Sequence, residues 1–193
     1  SNRQEGGLKA EGGSFYAKYR FFSKDDLKSH FRMAAYGRYS LNKADIHQQE
    51  IETMGHNTGY ETGLIATQLL HKVAISSSVS YERALDNNPD YKFPSTESNS
   101  AVNYTLSVGK LMLPKVYKDY KQTNMNLMLE LLGQRLNDNG KSYLDIAPSV
   151  QFIINSQARV DIGYRQELYS TMKRTAPNGI LLKFEYTFFN VFK

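Results

Sequence analysis

The chain has 193 residues, with 24 Lys and Arg against 19 Asp and Glu, a net charge of +5. That is the size of one domain or one compact barrel, and the charge is too balanced for a disordered tail or a nucleic-acid-binding arm. The absence of cysteine excludes disulfides, thiolate metal sites and a cysteine nucleophile, while 14 Tyr, 10 Phe and only 5 Pro favour sheet.

Residues 1–13 are polar and Gly-rich and read as a flexible segment or loop. Phe15, Ala17, Tyr19 and Phe21 then alternate with Tyr16, Lys18 and Arg20, which predicts a strand over 15–23 and a turn at Lys24–Asp26. Phe31, Met33, Ala35 and Tyr39 alternate with His30, Arg32, Tyr36 and Arg38. A long loop follows over 41–58, in which 43–53 could form a short helix. Residues 60–70 are apolar-rich but blurred in parity. After a tight turn at His71-Lys72, Val73, Ile75, Val79 and Tyr81 oppose Ala74, Ser76, Ser78, Ser80 and Glu82.

A second long loop covers 86–99. Val102, Tyr104, Leu106 and Val108 then oppose Asn103, Thr105, Ser107 and Gly109, and a link follows around 114–120. Met125, Leu127, Leu129 and Leu131 oppose Asn124, Asn126, Glu130 and Gln134. A helix over 125–136 is the competing reading there, opposed by the flanking Asn residues and by Gly133. Beyond a modest loop at 137–142, Leu144, Ile146, Val150, Phe152 and Ile154 oppose Asp145, Ala147, Ser149 and Gln151. Pro148 sits on the apolar parity, where it removes a ladder donor. A tight turn at 155–158 leads to Val160, Ile162, Tyr164 and Leu168 against Asp161, Gly163, Arg165 and Glu167. After a longer loop at 172–178, Ile180, Leu182, Phe184, Tyr186 and Phe188 oppose Leu181, Lys183, Glu185 and Thr187.

These segments make nine strands in an up-and-down antiparallel meander, and short and long connections alternate between them. Most segments reach the roughly 9–11 residues of a membrane-crossing strand, beyond the 5–6 usual in soluble sheets. No apolar run is long enough for a transmembrane helix. The final strand, with Phe184, Tyr186, Phe188 and Phe192, looks like the C-terminal assembly signal of bacterial outer-membrane barrels. Residues 143–168 are similar to the closing strands of transporter-like barrels, and 15–40 resemble barrel proteins of the Bacteroidetes group. The resemblance covers 14–192. It implies an all-β transmembrane barrel in the bacterial outer membrane, surrounded by lipid, inserted by the outer-membrane assembly machinery and porin-like in function.

If the apolar parity faces lipid, the other parity lines a lumen. Lys18, Arg20, Arg32, Arg38, Glu82, Glu130, Asp145, Asp161, Arg165, Glu167, Lys183 and Glu185 then point inward. Each Arg or Lys placed against lipid near the midplane would cost about 2–4 kcal/mol, so the near-confinement of charges to one parity carries information. A water-filled solute path and a barrel plugged by salt bridges both fit this mixture. Tyr60, Tyr81, Tyr104, Tyr143, Tyr169 and Phe192 are candidates for an interfacial aromatic girdle.

The expected function is a channel or transporter passing small solutes. The alternatives are a non-conducting accessory subunit of an envelope complex and a soluble ligand-binding barrel, since parity alone does not say which face is inside. His30, His47, His56 and His71 share no metal-site spacing, and His30 cannot meet Ser29 because adjacent strand residues face opposite ways. No catalytic set, cofactor motif, metal site or basic patch for nucleic acid emerges. The last strand descends to the periplasm, so with nine strands the first descends too. Bacterial barrels have an even number. The expectation is therefore a C-terminal part, 14–193, of a barrel of about 10–12 strands, completed by an upstream fragment or another subunit; the rival is a different strand count, with residues 5–11 forming a short strand or 60–70 read wrongly.

Overall fold

A computed structural model describes residues 12–43, 48–87, 92–114, 116, 119 and 122–187. Their secondary structure is nine strands: β1 (Gly12–Asp26), β2 (Ser29–Asn42), β3 (Gly59–Leu70), β4 (Val73–Ala84), β5 (Ser100–Leu113), β6 (Asn124–Leu136), β7 (Ser142–Ile154), β8 (Ala158–Ser170) and β9 (Gly179–Tyr186). They form one antiparallel sheet in sequence order. The sheet is not closed: β1 and β9 are its edges. Among the described residues there is no helix. Residues 125–136 are strand, and the described part of 43–53 is irregular.

Two boundaries differ from expectation. Residues 24–26, read as a turn, continue β1, and the turn is Leu27-Lys28. Gly12 and Gly13, read as part of a flexible segment, pair with Asn42 and Leu41 and open the strand. A glycine can join a ladder when its neighbour supplies the register, which single-strand propensity does not reveal.

The blurred parity of β3 has a simple cause. Thr62 and Gln68 lie on its otherwise apolar side, and Ile65 lies on its polar side. Pro148 stands inside β7, paired with Leu129 of β6, while the ladder to β8 lapses at Ala147 and Pro148. The missing N–H is lost on one side only. Register shifts occur at Phe21, Met112 and Leu168. Each bulge leaves two consecutive apolar side chains exposed: Phe21 and Phe22, Met112 and Leu113, Leu168 and Tyr169.

In the central strands, toward the end that carries the long connections, the polar face is more buried than the apolar one, while polar-face charges on the edge strands, such as Lys183 and Glu185 at 52% and 45%, are exposed. Leu64, Val79, Leu106, Leu129 and Ile162 are each 45–49% exposed. On the opposite face Glu61, Glu82, Gln134 and Asp145 are at most 8% exposed. The only buried apolar cluster among the described residues comprises Ile51, Ala84, Ala101, Leu136, Tyr143 and Met172, with Phe93 against it. It sits at the end of the sheet that carries the connections 43–58, 85–99, 137–141 and 171–178. The opposite end carries two-residue turns at 27–28 and 71–72, the 114–123 link and the turn 155–157. There His71, Asn155 and Ser156 take positive φ, as tight hairpins require.

Candidate functional site: a polar face capped at one end

The register places all twelve of the charged residues singled out from sequence on one face. Lys18 lies opposite Tyr36, and Arg20 opposite Ala34. Arg32 lies opposite Thr67 and Arg38 opposite Glu61, which is itself opposite Glu82. Glu130 lies opposite Ser107. Asp145 lies opposite Glu167, and Asp161 opposite Lys183, with Arg159 opposite Glu185 beside it. Arg165 joins the face through its contacts with Asp145. Lys18, Arg20 and Arg32 line a recess of about 480 Å3 with Ala34, Ile65 and Thr67.

Across β2–β6 the face carries two hydrogen-bonded clusters, one around Glu61 and one running from Glu82 to Gln134. Glu61 accepts hydrogen bonds from Tyr36 Oη at 2.6 Å, Ser80 Oγ at 2.8 Å and Arg38 Nη1 at 2.8 Å. Glu82 accepts from Asn103 Nδ2 at 2.6 Å, and Asn103 Oδ1 accepts from Gln134 Nε2 at 2.8 Å. Tyr36 reaches Glu61 because its ring lies over Gly63, where an added Cβ would come within 2.8 Å of the ring.

The β2–β3 connection folds inward onto the second cluster. Ile51 donates its N–H to Gln134 Oε1 at 2.9 Å and accepts from Gln134 Nε2 at 2.8 Å. Thr53 N–H donates to Glu82 Oε1 at 2.7 Å. Backbone groups in an irregular segment need partners when buried, and here wall side chains supply them. Neighbouring connections hold the same segment. Gln49 N–H donates to the Lys173 carbonyl at 2.9 Å, and Lys141 Nζ donates to Gln49 Oε1 at 3.0 Å.

The centre of this cap is Arg174, from the β8–β9 connection, with its side chain 1% exposed. Its Nη1 and Nη2 donate to both oxygens of Asp145, at 2.8 and 2.7 Å. Its Nε donates to Glu50 Oε2 at 2.9 Å, and Nη1 also reaches Glu167 at 3.1 Å. The guanidinium stacks on Tyr143, 3.7 Å from the ring centroid. Arg165 bonds Asp145 and Glu50 from the other side and lies 5.5 Å from the same ring centroid. Burial opposes the charge on Arg174, but its hydrogen bonds to Asp145 and Glu50 outweigh that and raise its pKa above the usual guanidinium value. It is a fixed cation at any accessible pH. Two cations thus hold three carboxylates, one from the cap and two from the wall.

Tyr143 was expected in an outward girdle, and this is corrected. It lies on the polar face, 7% exposed, under the two guanidiniums. Its neighbour Asp145 shares its parity, so the alternation already implied this. Tyr60, Tyr81, Tyr104 and Tyr169 lie on the apolar face near the capped end. Phe184 and Tyr186 of the closing segment are exposed on β9, whereas Phe188 and Phe192 lie outside the described residues.

His47 also lies outside the described residues. His30 Nδ1 is 2.8 Å from Asp25, His56 is 3.9 Å from Glu52, and His71 is in a turn. No group of three His, Asp or Glu suited to a metal occurs among the described residues. Sequence reasoning missed Glu50 and Arg174 because they belong to connections, where no periodicity indicates facing. Compared with known protein families, curated proteins and solved structures, the chain matches none.

Proposed function

We propose that this chain forms the wall of an outer-membrane β-barrel whose polar face lines a path for small solutes. The observation that carries the reading is the inversion of faces in the central strands. A sheet that exposes its aliphatic and aromatic side and buries its carboxylates suits lipid outside and water inside. The soluble ligand-binding barrel requires the reverse.

The dimensions agree. On the apolar side of β6 the first charge after Met125 is Arg135, and on β4 the first after Val73 is Arg83. Ten residues at about 3.3 Å each, tilted by about 40°, give a band of roughly 25 Å, the height of an outer-membrane barrel's apolar belt. Tyr60, Tyr81, Tyr104 and Tyr169 sit at the capped edge of the band, as an interfacial girdle would. Short turns are periplasmic in such barrels, which assigns the capped end to the outside.

An open edge does not persist in lipid, where unpaired backbone groups have no partner. β1 and β9 run in the same direction, as any two odd strands of a meander do. Antiparallel closure therefore takes an odd number of further strands between them, giving about 10–12 in all. Two copies paired antiparallel edge to edge would place their caps on opposite sides of the membrane, which directional insertion forbids. The added strands therefore come from outside the nine described here, from another part of the same protein or from a separate subunit.

A second reading, a non-conducting accessory barrel, draws support from the cap that fills one end of the polar face. Planar-bilayer recording of detergent-purified protein separates the two. Discrete conductance steps support the solute path, and silence from folded, heat-modifiable protein supports the accessory barrel. Recovery of folded protein in detergent-free buffer would remove both.

A further inference from the structure

The cap is held by anchors of different kinds: Ile51 is buried in the apolar cluster, the ends of the segment bond to neighbouring connections, and polar and ionic contacts join it to the wall. Gln134 and Glu82 hold the backbone of residues 51–53 by neutral or singly charged hydrogen bonds. Glu50 is held by Arg174 and Arg165, which also hold Asp145 on β7. The wall itself does not need the cap: β6, β7 and β8 are joined by continuous ladders apart from the lapse at Pro148. Met54, at the tip of the segment, is 74% exposed, so no apolar burial anchors the tip. The cap leaves a cavity of about 230 Å3 beneath it, bounded by Arg38, Glu61, Asn103, Thr105 and Gln134.

We propose that residues 48–58 are a gate across the outer end of the polar path, latched by the Glu50–Arg174–Asp145 bridge. The inference rests on the barrel reading and turns its solute path from a passive hole into one that opens when the bridge is released. The electrostatics make the latch conditional. With Arg174 in place, two cations face Glu50, Asp145 and Glu167. Without it, Glu50 faces two wall carboxylates with only Arg165 between them, and like charges at short range in a buried site repel. Removing one arginine thus turns attraction between cap and wall into repulsion while the strand ladders remain. Arg174 belongs to the β8–β9 connection, so pulling on that connection from outside releases the same bridge.

The chain has no cysteine, so Ser78→Cys places a single reporter on the polar face beyond the cap. The measurement is its rate of labelling by a membrane-impermeant maleimide on intact cells. Glu50→Gln breaks the cap side of the bridge and leaves Arg174 paired with Asp145 and Glu167. Arg174→Ala leaves Arg165 as the one cation between Glu50 and the two wall carboxylates. Each is expected to speed labelling about tenfold or more over the parent. Folding of every variant is read from heat-modifiable migration, and Glu50→Gln decides the matter if Arg174→Ala does not assemble. Fast labelling in the parent would show that the cap does not close the path. Slow labelling in a folded Glu50→Gln variant would show that the bridge is not the latch. Either result overturns the proposal. Failure of the barrel reading shows up separately, as protein recovered without detergent.

Discussion

Asp145 is fully buried and bonded to two arginines, so it carries the largest single-residue consequence on the polar face. Asp145→Asn keeps the volume but leaves Arg174 and Arg165 short of a charge partner. Breaking a buried pair from one side costs about 3–5 kcal/mol, and the partial exposure of Arg165 puts this case near 3 kcal/mol. The expected result is a lower midpoint of guanidinium unfolding for vesicle-folded protein. On the opposite face the ring of Tyr104 lies directly over Gly133, where an added Cβ would run into it. Gly133→Ala forces the ring aside, with an expected loss of about 1–3 kcal/mol in the same assay. Gly133→Ala together with Tyr104→Ala should recover part of it, since the clash is then gone. Equal stability of Gly133→Ala and the parent would contradict this packing.

At the scale of the strand, the two faces predict opposite tolerance to charge. Leu129 of β6 is outward and mid-band, and Ser107 of the adjacent β5 is inward. Leu129→Arg is expected to cost about 2–4 kcal/mol against lipid, while Ser107→Arg, beside Glu130, is expected to cost less than about 1 kcal/mol. Assembled protein in the membrane, scored by heat-modifiable migration, should fall for the first and not for the second. Equal tolerance would argue that the apolar face does not meet lipid. The alternation that supports this was legible in sequence for β4 to β9, because outward positions there are nearly all aliphatic or aromatic. It was not legible in β3, where Thr62, Gln68 and Ile65 break the pattern. The end of β1 was misread because Lys24, Asp25 and Asp26 have turn composition. Pairing with Ser29–Phe31 of β2 nevertheless keeps them in the ladder.

For the whole molecule, the open sheet gives a direct test of closure. Ala17→Cys on β1, combined in turn with Ile180→Cys, Leu182→Cys and Phe184→Cys on β9, reports whether the two edges meet. With further strands between them, no intramolecular disulfide forms in the membrane-inserted protein. A disulfide between β1 and β9 of one chain would mean parallel closure of nine strands, and a cross-linked dimer would mean pairing between copies.

By itself, the amino-acid sequence determined the class of the protein. A period of two, sustained over long segments with most charges on one parity, admits little except an antiparallel meander with one polar and one apolar face, since side-chain direction in a strand follows from covalent geometry. It also placed the twelve charged residues on a common face, because register between neighbouring strands preserves parity. It did not say which face is covered, since alternation is symmetric with respect to inside and outside. Nor did it place Glu50, Arg174 and Gln134 together. Glu50 and Arg174 lie 124 positions apart in connections without periodicity. Only the path of those connections over the end of the sheet brings the three into one buried cluster. The tertiary structure decided both points, covering one end of the polar face with its own connections and leaving the apolar face open.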